Sequence, residues 1–462
     1  MTRLRPIAIV AAGATALWLV IGHGFANYDA LYSLLWGREL AHGEAPQVDV
    51  PLAPTPHPLS NLVGAVLSAF PAHTGEDILV AIAYLSLATV AYLVFCLGRE
   101  WFGWAAGLAA AAVLLTREPV ISYGIRAYVD VPYLALVLGA LLVEVRRPRA
   151  GVPVLALLGL AGLLRPEAWL FAGAYVLWIW RARRPTPAEL ALVVAAPVLW
   201  LLYGAVAGGG ALESLHSTRD AAQTLERATG IDDVPITIPR RIGEVLQIPG
   251  LVGAAAGLAF GWRLRRERIW LAIGALVLAA VAFAVLATAG LPIIARYAFL
   301  IAAIAAVLCG GALLGWLELG DRDERRRWAA AAAVVLAVFV VFAPQQARKL
   351  DRTRDALAAQ QSIRNDLYAL LDEHPIPGDR VAVANHRLVP LVALATGREP
   401  RDVVTDADGA RYYIGPATTT VARRFILDPR DPVPRIPQPP AGAAVVARNA
   451  SWVLYSNQTR AS

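Results

Sequence analysis

The feature that most constrains this chain is the alternation of long apolar runs with short arginine-rich clusters. An apolar run of about 20 residues closes its backbone hydrogen bonds within one helix and is long enough, at ~1.5 Å per residue, to cross a bilayer. The runs predict spans over residues 6–24, 76–97, 101–117, 131–145, 151–164, 168–180, 189–207, 249–262, 270–289, 292–317 and 328–344. The pair 151–164 and 168–180 is short for two crossings. Two short tilted helices or one re-entrant hairpin both return the chain to the same side, so the later topology is unchanged. Composition agrees, because 57% hydrophobic and 17% charged residues leave too little polar surface for a water-soluble fold of 462 residues.

Charge sets the orientation. With the N-terminus inside, the even-numbered connections are short and basic. They hold Arg99; Arg146, Arg147 and Arg149; Arg181, Arg183 and Arg184; Arg263, Arg265, Arg266 and Arg268; and Arg322, Arg325, Arg326 and Arg327. The segments on the other side, 25–75, 118–130, 208–248 and 345–462, are longer and mixed in sign. This positive-inside pattern predicts a multi-pass protein of the inner (plasma) membrane, with a cytoplasmic N-terminus and an extracytoplasmic tail. It also accounts for the net charge of +7, so membrane lipids rather than nucleic acid are the implied partners. Arg3 and Arg5 before Ile7–Ile21 resemble a signal peptide, but no small-residue cleavage signal follows, which predicts an uncleaved first helix. Cys96 and Cys309 each sit in an apolar run and read as small buried hydrophobes.

The predicted fold class is a polytopic all-α membrane domain, 1–344, with about eleven transmembrane helices, followed by a small soluble α/β domain on the outside, 345–462. In the first outer segment, 29–42 and 59–70 read as helices lying at the interface, separated by five prolines in 45–58. In the tail, 349–373 is a polar helix with an apolar stripe, Val381–Ala384 a strand, and 386–396 a helix ending at Gly397. Val403–Val404, Tyr412–Ile414, Phe425–Leu427 and Val445–Tyr455 contain further strand-like runs, and the Pro-rich 432–440 is loop. Asn449-Ala-Ser and Asn457-Gln-Thr fit the N-glycosylation pattern and receive no role.

Chemistry-bearing residues cluster in the outer segments. Asn27-Tyr28-Asp29 follows the first span directly. A carboxylate at this boundary can act as general base toward a hydroxyl, or cap the helix starting near Ala30; the two roles are compatible. Arg126-Ala127-Tyr128-Val129-Asp130 precedes the fourth span. Asp130 can join Asp29 to hold a sugar hydroxyl or a divalent cation, or simply start a helix two residues before Pro132. Arg117 and Arg126 offer donor forks to a phosphate or snorkel to headgroups, and Glu118 is an alternative ion-pair partner for Arg117. His57, within Pro56-His57-Pro58, can position a phosphate or acceptor hydroxyl, or belong to a loop. Arg165-Pro166-Glu167 marks the turn of the short pair, where a charged pair needs solvent or mutual pairing. Arg296-Tyr297, at the outer start of the tenth span, suits a lipid phosphate at headgroup depth or the aromatic belt. The seven histidines show no metal-ligand spacing. The middles of the spans are nearly free of ionisable residues, which disfavours an ion-driven transporter.

Together, Asp29 after the first span, Tyr32, the Gly37–Pro46 stretch, Pro56-His57-Pro58-Leu59, Leu164-Arg165-Pro166-Glu167 and Arg296-Tyr297 resemble the GT-C superfamily of polytopic glycosyltransferases. The order of elements matches through residue 344, and the likeness is greatest to the bacterial mannosyl- and arabinosyltransferase-like group. The resemblance implies a polyprenyl-phosphate-linked sugar donor and a glycan, glycolipid or protein acceptor of the cell envelope. It implies Asp29 as catalytic base, Asp130 as a supporting acid and Arg296 at the donor phosphate, with Arg126 or His57 assisting. A single displacement at the anomeric carbon would invert it. The paired-acid form found in some branches is absent, since Ala30 follows Asp29, which leaves the need for a divalent cation open. Two readings from other classes remain beside it: a transporter or flippase for a lipid-linked glycan, and a non-catalytic envelope assembly protein.

Overall fold

The computed structural model describes residues 4–22, 24–207, 210, 213–264, 266–378, 380–407, 410–426 and 438–456. Its helices are α1 Leu4–Ile21, α2 Tyr28–Ala41, α3 Pro58–Leu67, α4 Ala72–Phe102, α5 Trp104–Leu115, α6 Glu118–Gly124, α7 Asp130–Arg146, α8 Val152–Gly162, α9 Glu167–Trp180, α10 Pro187–Val206, α11 Glu213–Thr224, α12 Val234–Leu264, α13 Arg266–Thr288, α14 Phe299–Leu314, α15 Arg322–Glu373 and α16 Val389–Thr396. The strands are β1 Val381–Val383, β2 Val403–Val404, β3 Tyr412–Pro416, β4 Ala444–Arg448 and β5 Trp452–Ser456. They form two compact units: Met1–Gly22, Ala81–Trp200 and Ala228–Thr353; and His23–Val80, Leu201–Arg227 and Arg354–Ser462.

Every predicted span coincides with a helix, but fewer than the expected eleven or so are of crossing length. Among the described residues, six helical stretches are long and apolar enough to cross a membrane: α4, α10, α12, α15, Ile269–Thr288 within α13, and Ala295–Glu318, which is α14 with the 3-10 turns at its two ends. The pair α5 and α6 makes a seventh if its 72° bend is counted within one span. The remaining helices are cut short by charge and by chain reversals: α7 has 17 residues, α9 14 and α8 11. The apolar stretch of α1 is likewise short, Arg5–Ile21. Arg149 and Gly151 both adopt positive φ between α7 and α8, which turns the chain there.

The first unit is built around α14. All of Phe299–Ala312 is buried, and α5 and α12 lie against it. Alanine and glycine fill this helix because its neighbours approach at backbone distance. A Cβ on Gly257 would lie 1.9 Å from the Leu308 carbonyl oxygen, and one on Gly310 2.2 Å from that of Ala106. Such small-residue seams are how helices associate where hydrophobic exclusion from water offers no drive. Helix α12 breaks at Gln247, whose φ is +56°, next to Pro249. The carbonyl of Leu246 beside the break accepts from Arg117 Nη1 at 2.8 Å.

The second unit joins α2 and α3 to the tail. Predicted helix 349–373 is not separate from the last span: α15 runs unbroken for 52 residues through Pro344, so residues 344 and 345 lie in one helix. The sheet has the order β2-β1-β3-β5-β4, with β1 parallel to β2 and β3 and the β3–β5 and β5–β4 pairs antiparallel. Val381, Ala382 and Val383 are all buried, as a strand flanked on both sides requires. The run Val445–Tyr455 resolves into the β4–β5 hairpin, whose turn is tied by Asn449 Oδ1 accepting from Ser451 N and Trp452 N at 3.1 and 2.9 Å. Phe425 and Ile426, expected in a strand, instead belong to a π-helical turn, Ala422–Ile426. Arg265, Leu427, residues 432–437 of the expected Pro-rich loop and the Asn457 motif lie outside the described residues.

Candidate functional site

In the first unit, six of the sequence-picked residues come together: Tyr128, Asp130, Arg165, Glu167, Arg296 and Tyr297. The two acids open helices. Asp130 is the first residue of α7 and Glu167 of α9, where the aligned peptide dipoles favour negative charge. Arg165 sits in the turn before α9, and Arg296 in a 3-10 turn, Ala295–Ala298, leading into α14. The helix starts therefore bring charges from four separate chain positions to one place without putting any in mid-span.

These residues form a linear ion chain. Arg165 donates through Nη1 to Asp130 Oδ1, and through Nε to Glu167 Oε1 at 2.8 Å. Arg296 Nε lies 3.6 Å from Asp130 Oδ2. Burial is nearly complete: Asp130 is 2% exposed, Arg165 and Glu167 6% each. Aromatic faces complete the shell. The Arg165 guanidinium stacks 3.8 Å from the Tyr297 ring centroid, and that of Arg296 lies 5.0 Å from Tyr128. Ala127, with φ of +55°, reverses the chain just before Tyr128. A cleft is lined by Asp130, Arg165, Glu167, Arg296 and Tyr297, with Tyr133, Phe171 and Phe283 as apolar walls.

The other candidates are placed differently. Arg126 borders the cluster: it donates to Ser122 O at 2.8 Å and stacks between Tyr123 and Tyr128, 5.1 and 5.2 Å away. Arg117 is fully buried and spends its donors on Leu246 O, Val113 O and Thr116 Oγ1, so it braces the break in α12 instead of facing a ligand or snorkelling. Glu118 is not its partner; that carboxylate pairs with Lys349 Nζ at 3.1 Å and accepts from Thr353 Oγ1 at 3.1 Å.

Asp29 and His57 belong to the second unit. Asp29 does not cap α2. Asn27 does, its Oδ1 accepting from Asp29 N at 2.7 Å and Ala30 N at 3.3 Å. Asp29 is the acid of the first turn, half-buried, beside Tyr28, whose hydroxyl donates to Leu52 O at 3.0 Å. The loop before it is clamped. Glu76 Oε1 accepts from Ala26 N at 3.1 Å and from Arg364 Nη2, Arg364 Nη1 donates to Ala26 O at 2.9 Å, and Tyr368 donates to Glu76 Oε2 at 2.7 Å. His57 holds the N-cap position of α3 without a side-chain cap bond, and Pro58 follows as the first helical residue.

Sequence reasoning missed Tyr133, Phe171 and Phe283. Tyr133 is three residues after Asp130 and Phe171 four after Glu167, so helical spacing alone puts each on the face of its acid. Phe283 carried no such signal. No group of three or more His, Cys, Asp or Glu that could hold a metal lies among the described residues. Asp130 faces two guanidinium groups, which repel a cation.

No family model matches the sequence, and no curated protein does. Among solved structures the chain is similar to ArnT from Cupriavidus metallidurans bound to undecaprenyl phosphate, with a TM-score of 0.60 and 14% identity over 99% of each chain. Against the apo state of the same protein the TM-score is 0.58, at 14% identity over 99% of this chain and 98% of that one. The archaeal oligosaccharyltransferase AglB from Archaeoglobus fulgidus, in complex with an inhibitory peptide and a dolichol-phosphate, gives a TM-score of 0.48 at 13% identity, covering 86% of this chain and 64% of that one. At these identities the likeness to ArnT establishes the fold.

Proposed function

We propose that the chain is a glycosyltransferase that moves a sugar from a polyprenyl-phosphate carrier to a hydroxyl of a cell-envelope glycan, glycolipid or protein. The observation that carries this reading is the buried ion chain Arg296–Asp130–Arg165–Glu167 lining a cleft in a membrane bundle. Buried charge within a bundle is costly to keep and marks function more often than stability. The reading is supported by the end-to-end similarity to a protein solved with undecaprenyl phosphate.

In this proposal the chemistry is a single displacement at the anomeric carbon, with inversion. The base that the sequence offers, Asp29, takes the proton of the acceptor hydroxyl as it attacks, and the carrier phosphate leaves. Within the first unit Arg296, which keeps 18% of its side chain exposed, neutralises the phosphate, with Arg126 assisting. Asp130 orients both arginines. The transfer takes place on the extracytoplasmic side of the plasma membrane, with the N-terminus in the cytoplasm and the tail outside, an orientation that the arginine clusters support.

The test is transfer from a panel of polyprenyl-phosphate sugars to an envelope extract by protein in nanodiscs. Asp29→Asn is expected to lower the rate about 10²–10⁴-fold, the usual worth of a positioned general base, with an unchanged thermal midpoint. Transfer by Asp29→Asn at the wild-type rate, or no transfer from any donor by wild type, rejects the proposal.

A further inference from the structure

The ion chain is balanced in charge but not in hydrogen bonds. An ionised carboxylate offers about four lone-pair directions. Glu167 Oε1 is taken by Arg165, whereas Glu167 Oε2 is buried without a hydrogen bond. Asp130 Oδ1 is likewise taken by Arg165, whereas Oδ2 is buried without a hydrogen bond, its facing cation being Arg296 at 3.6 Å. Both residues line the same cleft. A buried acceptor left unmade is costly, so a ligand that brings donors to these two oxygens is favoured.

A phosphate brings only acceptors and negative charge. Inside this cleft it would meet two carboxylates, with Arg165 already spent on both of them and Arg296, the part-exposed cation of the lining, set against Asp130. Hydroxyl groups bring the donors that are lacking, without charge. The walls add the second half of the recognition. Tyr133, Phe171, Phe283 and Tyr297 present apolar faces on which the C–H side of a sugar ring can lie. We infer that Asp130 Oδ2 and Glu167 Oε2 accept hydrogen bonds from hydroxyls of a neutral sugar seated in the cleft, and that the phosphate stays at its mouth. The inference rests on the functional reading above and names the chemistry that its substrate must show: a polyhydroxylated, uncharged glycosyl group.

The hydroxyls can belong to the donor or to the acceptor, and binding separates the two. Full-length protein in nanodiscs is titrated with a short polyprenyl phosphate, with the same carrier bearing glucose, mannose or galactose, and with the free hexoses and their oligosaccharides. One of the glycosylated carriers is expected to bind about tenfold tighter than the bare carrier, or more. Glu167→Gln replaces the open acceptor by a donor. It is expected to abolish that tenfold gain, read within the variant as the ratio of its affinities for the glycosylated and the bare carrier. If Glu167→Gln does not fold, wild-type protein with single-deoxy hexoses on the preferred carrier reads the same quantity, one hydroxyl at a time. Saturable binding of free oligosaccharide that Glu167→Gln removes, without any gain for glycosylated carriers, assigns the pocket to the acceptor and keeps the hydroxyl chemistry. Equal affinity for bare and glycosylated carriers, with no binding of free glycan, overturns the inference and leaves the functional reading standing. Absence of binding by every carrier overturns that reading as well.

Discussion

Arg165 is the hub of the buried chain, and its removal strands a buried carboxylate. Arg165→Met takes the hydrogen bonds from Asp130 Oδ1 and Glu167 Oε1 and the stacking partner from Tyr297. Asp130 retains Arg296 at 3.6 Å; Glu167 loses the cation it pairs with. A buried carboxylate stripped of its partner costs about 3–5 kcal/mol. The lost stacking on Tyr297 adds about 1–2 kcal/mol. The double variant Arg165→Met/Glu167→Gln removes charge in a pair, leaving the Asp130–Arg296 pair in place and Glu167 neutral. It should recover at least half of the loss. The assay is the thermal-denaturation midpoint of detergent-purified protein, with the half-life of irreversible inactivation as the kinetic counterpart. A double variant no more stable than Arg165→Met would refute the reasoning, because the cost would then lie in packing and not in stranded charge.

The other expectations concern different parts of the chain. Burial pushes the Glu39 carboxyl up to about 7, although it accepts from Gln47 N at 2.9 Å. The folded state therefore holds this proton more tightly than the unfolded chain. The stability it contributes is full below the ordinary value of 4.5 and is lost as the pH rises through about 7. Melting midpoints should fall across that window by an amount that Glu39→Gln removes. Gly257→Ala puts a methyl against the Leu308 carbonyl and should lower the melting midpoint markedly, whereas Gly274→Ala, with nothing within 4 Å, should not. Glu76→Gln weakens the clamp on Ala26, so hydrogen exchange at residues 24–27 should quicken while exchange in β3 and β5 stays the same.

How much of this was legible beforehand follows from which forces are local. Apolar runs, arginine clusters and the Gly397 stop are read from neighbouring residues, and the helices fall where they point. The C-cap at Gly397, with φ of +70°, is one such case. The bundle's short members were legible as apolar but not as complete crossings, since their ends are set by turns at Arg149, Gly151 and Arg165. The last span, 328–344, and the tail helix, 349–373, misled in the opposite sense: they read as two elements, and α15 runs through both. The site was half visible. Arg165 and Glu167 read as one charged pair at a turn, and Asp130 and Arg296 as charges near other helix starts; only the packing of α7, α9 and α14 shows that the four belong to one chain of ions. Arg117 shows the reverse. Its sequence context suggested a ligand, but the broken turn of α12 supplied a carbonyl that occupies it, and no local pattern announces such a long-range partner.

The balanced quartet also carries a signature of descent. With Asp130 and Glu167 set against Arg165 and Arg296, any one exchange leaves an odd charge in a poorly solvated place, so drift at these positions is confined to coordinated steps. Across a set of orthologues the four columns should change together or not at all. A lineage that had shed only Arg165 would be expected to carry a neutral residue opposite it.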